Sequence, residues 1–242
     1  MNIKNVEVIS LIYKSCDYLD LIASELKTKC TVEGWDVGIR IVANDATPEV
    51  LQRLEELDVN FTIYTDDTPD DYYLNRVYRC WNYAGATSTY DNICFVNSDM
   101  MFSEGWLENL LKHDLTKYIP CSRLIESGKM PSGAYGLGVD CGKHPNNLDR
   151  EKFKEAAQQI SIEGFLEGGL YMPCVLNTKT FTESGMYPEG NIYTDGPGTL
   201  NGNVVMSGDA WYFQQLKNTK GLTHITAFDS IVYHIQEGEK DA

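Results

Sequence analysis

The sequence predicts an α/β protein: a mostly parallel central sheet with helices on both of its faces. Three observations predict it. Short β-branched apolar runs recur through the first 110 residues, segments with helical periodicity lie between them, and polar residues follow each run. Strands that alternate with helical crossovers run parallel, because a parallel neighbour is reached only by a long connection.

Taken in order, residues 6–13 (VEVISLIY) form a short apolar run suited to a strand buried on both faces. A turn follows at 14–17, and residues 18–29 then place Leu19, Ile22 and Leu26 on one helical face. Residues 38–43 read as a second strand and 44–47 as a turn. Pro48 suits the first position of a helix carrying Val50, Leu51, Leu54 and Leu57. A third strand is expected at 59–64, an acidic loop at 66–71 and a helix over about 72–86. Residues 92–96 are the fourth strand, ending in Asn97-Ser98-Asp99. Ser103 is expected to cap a helix carrying Trp106, Leu107, Leu110 and Leu111.

The pattern changes after about residue 115. Residues 128–142 are rich in Gly, Ser and Pro, 149–159 read as a charged helix, and 168–176 as one more strand. Residues 193–202 form a glycine-rich loop of a length associated with function or mobility. Residues 207–216 open a helix, and 230–234 end a strand on His234. Neither an internal repeat nor a linker interrupts 1–242, so one domain is expected.

Composition narrows the function classes. A formal net charge of −15 is the wrong sign for a broad phosphate-backbone surface, so nucleic acid is not an expected partner. No apolar run reaches the roughly 18 residues of a membrane span, so no transmembrane segment is expected. The N-terminal residues lead straight into a strand pattern with no apolar leader, which points to a cytoplasmic location. Seven cysteines are scattered without paired spacing, as befits buried reduced thiols.

In parallel sheets, ligands bind beyond the carboxyl ends of the strands. Residues 13–15, 44–45 and 97–99 all lie at such ends. Asp99 ends an apolar strand, where a carboxylate either closes a turn or holds a divalent cation that bridges to phosphate. Asp209 opens a helix, where it either caps the first turn or serves as a general base toward a hydroxyl. His234 ends its strand as a structural hydrogen bonder or as a further metal ligand.

In their order along the chain these pieces resemble the family-2 glycosyltransferases of the GT-A fold, over roughly residues 6–235. Residues 8–13 look like the family's opening strand, 41–47 (IVANDAT) its Val-Asp-Asp-Gly-Ser-Thr element, and 80–85 its Ala-Arg-Asn-x-Gly. Residues 95–99 (FVNSD), with Trp106-Leu107, are similar to the metal-binding Phe-Leu-Asp-Ser-Asp and its downstream Trp-Leu. Residues 185–189 match a Gly-Phe-x-Glu turn, and Gly208-Asp209 with Gln215-Leu216 a Glu-Asp-x-Asp-x-x-x-Arg-Leu element. Tyr233-His234 corresponds to a late metal-binding histidine.

The resemblance implies a GT-A (nucleotide-diphospho-sugar transferase) fold with a donor-binding half at 1–115 and an acceptor-binding half at 116–242. It implies transfer of a sugar to a glycan or other hydroxyl acceptor, with Mn²⁺ or Mg²⁺ as cofactor and a place in polysaccharide biosynthesis. Donor contacts fall to Tyr13, Asn44, Asp45, Arg79, Asn97 and Ser98, with Arg76 and Lys14 as further phosphate candidates. Metal contacts fall to Asp99 and His234, and acceptor contacts to Tyr187 and Trp211. Asp209 would be the general base of an inverting displacement. Three positions depart from the pattern: Asn44 and Asn97 each stand where the family has Asp, and Gly208 where it has Glu. The missing acids leave a catalytically silent nucleotide-sugar or carbohydrate binder as an alternative. A sugar nucleotidyltransferase is disfavoured, because residues 13–17 contain no glycine for a phosphate loop.

Overall fold

The computed structural model describes residues 4–68, 71–200 and 202–241. Its first half is β1 (Lys4–Ile12), α1 (Cys16–Lys29), β2 (Trp35–Asn44), α2 (Pro48–Glu56), β3 (Phe61–Tyr64), α3 (Tyr73–Ala86) and β4 (Asn92–Val96), then β5 (Met100–Phe102) and α4 (Trp106–Leu111). Local chemistry explains these boundaries. The Ser15 and Thr47 hydroxyls accept the Tyr18 and Val50 amides, capping α1 and α2, and Pro48 opens α2 as predicted. Of the expected acidic loop, Pro69 and Asp70 lie outside the described residues.

The second half is β6 (Tyr118–Glu126), β7 (Leu137–Gly138), α5 (Arg150–Ile160), β8 (Phe165–Glu167), β9 (Cys174–Asn177), α6 (Thr178–Glu183), β10 (Ile192–Tyr193), β11 (Gly196–Pro197), β12 (Val204–Met206), α7 (Gly208–Lys220) and β13 (Thr223–His234). The main sheet runs β3-β2-β1-β4-β9-β6-β13-β5, with β7 and β8 paired on its flank. β3, β2, β1 and β4 are parallel, as are β6 and β13, while β9 is antiparallel to both of its neighbours. The sheet is thus mixed but mostly parallel, with helices on both faces.

Side-chain alternation along β1 builds the two apolar layers. Val6, Val8 and Ile12 enter one core cluster with Leu19 and Ile22 of α1, while Ile9 and Leu11 enter the other with Trp81 of α3. Glu7 interrupts that second face and pairs with Arg40 at 3.0 Å, both nearly buried. Arg40 also donates to the Ala84 carbonyl and the Thr87 hydroxyl. Glu7→Ala is therefore expected to destabilise the fold by about 3–5 kcal/mol, because it strands a buried guanidinium. Urea unfolding checks this, and a loss under about 1 kcal/mol would contradict it.

The structure corrects three local expectations. Ser103 does not cap the following helix: its amide donates to the Ile231 carbonyl, and α4 begins only after Gly105, which takes φ +70°. The strand expected over 168–176 forms only from Cys174, because Gly168 and Gly169 adopt positive φ and Pro173 has no amide to donate. The glycine-rich 193–202 segment carries β11 and closes a small sheet of order β11-β10-β12, with Asn201 outside the described residues. All seven cysteines are free thiols, and only Cys16 is not fully buried.

Candidate functional site

The carboxyl ends of β1, β2 and β4 open onto a cavity of about 460 Å³ lined by Tyr13, Asn44, Arg76, Asn97, Ser98 and Asp99. A second cavity of about 240 Å³ adjoins it, lined by Tyr78, Glu126, Tyr171 and Asp209. Asn97 and His234 line both. Asp99 and, more than a hundred residues later, Asp209 and His234 therefore gather around one composite pocket.

The sheet itself brings Asp99 to His234. β4 ends at Val96, the chain turns through Asn97-Ser98, and β5 pairs antiparallel with β13 so that Met100 lies opposite His234. The Ile235 amide donates to the Asp99 carbonyl at 3.0 Å, extending that register. As a result Asp99 Oδ2 lies 3.2 Å from His234 Nε2. On the other side of the ring, Nδ1 lies 3.4 Å from Glu126 Oε1 at the end of β6. Burial alone would lower the His234 pKa, but the charge and hydrogen bond of Asp99, then those of Glu126, outweigh it and raise it, so without a metal the Asp99-facing nitrogen carries a proton that a bound cation would displace. Burial likewise pushes Asp99 up, and the His234 charge overrides it and keeps the carboxylate ionised.

This donor set fits a divalent cation. Two ligands at about 2.1 Å and a right angle stand about 3 Å apart, close to the separation of Asp99 Oδ2 and His234 Nε2. Carboxylate with imidazole suits Mn²⁺, and a carboxylate on the ring's far nitrogen is the usual means of orienting a metal-bound histidine. Among the described residues no three such side chains converge on one point. Glu126 faces the opposite nitrogen, so Asp99 and His234 would supply two ligands and leave the other positions to phosphate and water.

The nucleotide side differs in part from the sequence reading. Tyr13 is 39% exposed and its ring lies 5.8 Å from the Arg76 guanidinium. Asn44 is only 7% exposed, and among the described residues its Oδ1 has no hydrogen-bond partner. An unpaired buried carbonyl of this kind costs about 1–3 kcal/mol, which a ligand N–H would relieve. Asp45 sits one layer back: it takes φ +48°, accepts the Asp66 amide at 2.8 Å and pairs with Arg76 at 3.2 Å. Arg79 is not a phosphate contact here. Its guanidinium is consumed by Asp66 at 2.8 Å and Asp71 at 2.9 Å, outside the cavity, so the arginine that lines it is Arg76. Lys14 also lines the cavity.

A contact absent from the sequence reading closes the same wall. Glu239 lies in the single-turn 3₁₀ helix Gly238–Asp241 after β13 and accepts the consecutive amides of Tyr13, Lys14 and Ser15 at 3.0, 2.6 and 2.7 Å. The neighbouring Gly238 amide donates to Asp99 Oδ2 at 3.1 Å. One short turn thus holds both the β1–α1 loop and the Asp99 carboxylate.

On the other side, Asp209 is the second residue of α7 and its Oδ1 accepts the Ala210 amide at 2.7 Å. Burial raises its pKa, opposed by hydrogen bonds from Ser207 and Ala210, so this carboxylate is more basic than an ordinary aspartate. Tyr187 cannot serve as an acceptor contact. It is 2% exposed and packs edge-on against Phe181 and Tyr212 in the core. Trp211 is half-buried, packs against the same core cluster and lines neither cavity. Tyr171 and Met172, from the segment before β9, line the Asp209 cavity instead.

At the level of sequence, the chain matches no protein-family model and no curated protein. Solved structures do match. GalNAc-T7, crystallised with UDP, GalNAc and Mn²⁺, aligns with a TM-score of 0.61 at 12% identity over 98% of this chain. Two structures of S. aureus TarS, one of them the 1–349 form, each align with a TM-score of 0.58 over 95% of the chain, at 13% and 15% identity. The chain spans 45% of GalNAc-T7 and 60% and 36% of the two TarS chains. At these identities the likeness shows the fold, the GT-A fold of the glycosyltransferases.

Proposed function

We propose that this protein transfers a sugar from a nucleotide-diphospho-sugar to a hydroxyl of a glycan or other acceptor, with Mn²⁺ or Mg²⁺ held by Asp99 and His234. The order of motifs along the sequence favours family 2 within the fold. The observation that carries the reading is the composite pocket: a carboxylate–imidazole pair and a separate, more basic carboxylate on two cavities joined through Asn97 and His234.

The donor half, residues 1–115, contributes most of the larger cavity. Tyr13 and Asn44 hold base and ribose, Arg76 and Lys14 face the diphosphate, and Asp45 keeps Arg76 in place. Asn97 and Ser98 shape the floor. When bound, the cation neutralises the departing diphosphate. Asp209 removes the acceptor hydroxyl proton as that oxygen bonds to the anomeric carbon and the bond to diphosphate breaks on the opposite face, giving inversion. The acceptor half, residues 116–242, supplies Asp209 and Tyr171 to that step.

Incubation with Mn²⁺ and a panel of nucleotide-sugars, UDP-sugars first because GalNAc-T7 was crystallised with UDP, tests the reading. Release of nucleoside diphosphate from one donor is the expected result. Binding without turnover, even with hydroxyl acceptors present, would identify a silent binder. A finer test concerns Glu126, which orients His234: Glu126→Gln is expected to weaken Mn²⁺ binding by about 10–100-fold by calorimetry. Unchanged affinity would remove Glu126 from the site.

A further inference from the structure

Resting on the reading of Asp209 as the base, we propose that Tyr78 is the residue that positions it, and that Gly208 is a glycine to let it do so. The first amides of a helix ordinarily find a local side-chain acceptor at the N-cap. Ser207 occupies that position at the start of α7 and makes no side-chain cap bond. The Asp209 amide is taken instead by the Tyr78 hydroxyl of α3, at 3.0 Å and from 131 residues earlier. Tyr78 is 6% exposed, with its ring 5.6 Å from Tyr187, so the hydroxyl is held by core packing and not by a mobile loop. It also lines the Asp209 cavity.

Gly208 makes this approach possible. A Cβ there would lie 2.5 Å from the Gly190 carbonyl oxygen and 2.8 Å from Tyr78 Cζ, both inside contact distance. Its own amide donates to Asn191 Oδ1 at 3.3 Å. Where the resembled motif carries Glu, this chain has removed the side chain entirely, and a tyrosine ring fills the space. The constraint that an acidic neighbour would exert on the base passes here to a hydroxyl from α3, tying the acceptor-side helix to the donor-side half.

Tyr78→Phe deletes the hydroxyl and keeps the ring. The expected result is a fall of about 10–100-fold in kcat for transfer, the scale of a misplacement near 1 Å, with donor KM and nucleotide–Mn²⁺ affinity unchanged. Because the effect runs through Asp209, Tyr78→Phe is expected to add nothing further in an Asp209→Asn background. A wild-type kcat, or the same fold loss in both backgrounds, would overturn the proposal. Near-normal turnover by Asp209→Asn alone would instead remove the base reading, and with it the role assigned to Tyr78. Should Tyr78→Phe fold poorly, Gly208→Ala keeps the hydroxyl in the chain but displaces the ring, and the same kcat loss at constant donor KM is expected. An unchanged kcat in that variant would equally overturn the proposal.

Discussion

Asp209→Asn is expected to abolish most sugar transfer while leaving nucleotide and Mn²⁺ binding intact. A general base contributes about 10²–10⁴-fold, and an amide of the same shape cannot take the proton. The binding side is spared because Asp209 lines only the smaller cavity, away from Tyr13, Asn44 and Arg76. The wild-type pH profile carries a linked expectation. Burial raises the Asp209 pKa, so the protonated, inactive form persists to higher pH than for an ordinary aspartate. Activity should therefore be lost as pH falls, at a higher pH than an ordinary aspartate would set, and this acidic limb should vanish in Asp209→Asn. The other ionisable side chains lining the Asp209 cavity are Tyr78, Tyr171, Glu126 and His234. Neither tyrosine accounts for an acidic limb, since burial holds both in their neutral form. Initial rates across pH together with calorimetric binding of nucleotide decide the matter, and a variant within a few-fold of wild type would remove Asp209 from the chemistry.

Asp99→Ala is expected to act at the opposite stage, removing metal-dependent donor binding. Asp99 is 3% exposed and stands 3.2 Å from His234, so its loss would delete one of the two proposed metal ligands and leave only the imidazole. The fall in Mn²⁺ affinity should exceed the roughly 10–100-fold expected of an outer-shell change such as Glu126→Gln. Nucleotide binding should lose its dependence on Mn²⁺ in the same titration. The substitution also frees the Gly238 amide, so thermal melting is needed to separate a local effect from global unfolding. If a well-folded Asp99→Ala protein still binds nucleotide in a Mn²⁺-dependent way, the metal lies elsewhere.

The parallel half of the fold was legible because its signals are local. Val8, Ile9 and Leu11 alternate at the period of a strand, Leu19, Ile22 and Leu26 recur at the period of a helix, and Pro48 marks a helix start. Asp99, Asp209 and His234 could be singled out for the same reason: Asp99 follows closely on an apolar strand, Asp209 opens a helix and His234 ends a strand, positions that sequence alone marks. β5 and β6 carried weaker signals. β5 has three residues, and β6 reads as YIPCSRLIE, with a proline and an arginine breaking its apolar run. Glu126 went unrecognised with β6, since nothing near it in sequence distinguishes it from a surface acid.

What the sequence by itself determined is the order of strands and helices and the ends at which polar residues collect, because spacing over two to four residues decides which face each side chain takes. Only the tertiary structure decided which side chains meet. Arg76 and Arg79 are neighbours on α3, yet one lines the cavity and the other is spent on Asp66 and Asp71. Tyr187 is drawn into the core, while Glu239 reaches the amides of Tyr13 to Ser15 across more than two hundred residues. His234 finds Glu126 through the parallel pairing of β13 with β6 and Asp99 through the antiparallel pairing with β5. Those partners follow from strand register and helix packing between distant segments, quantities that no local period of the chain encodes.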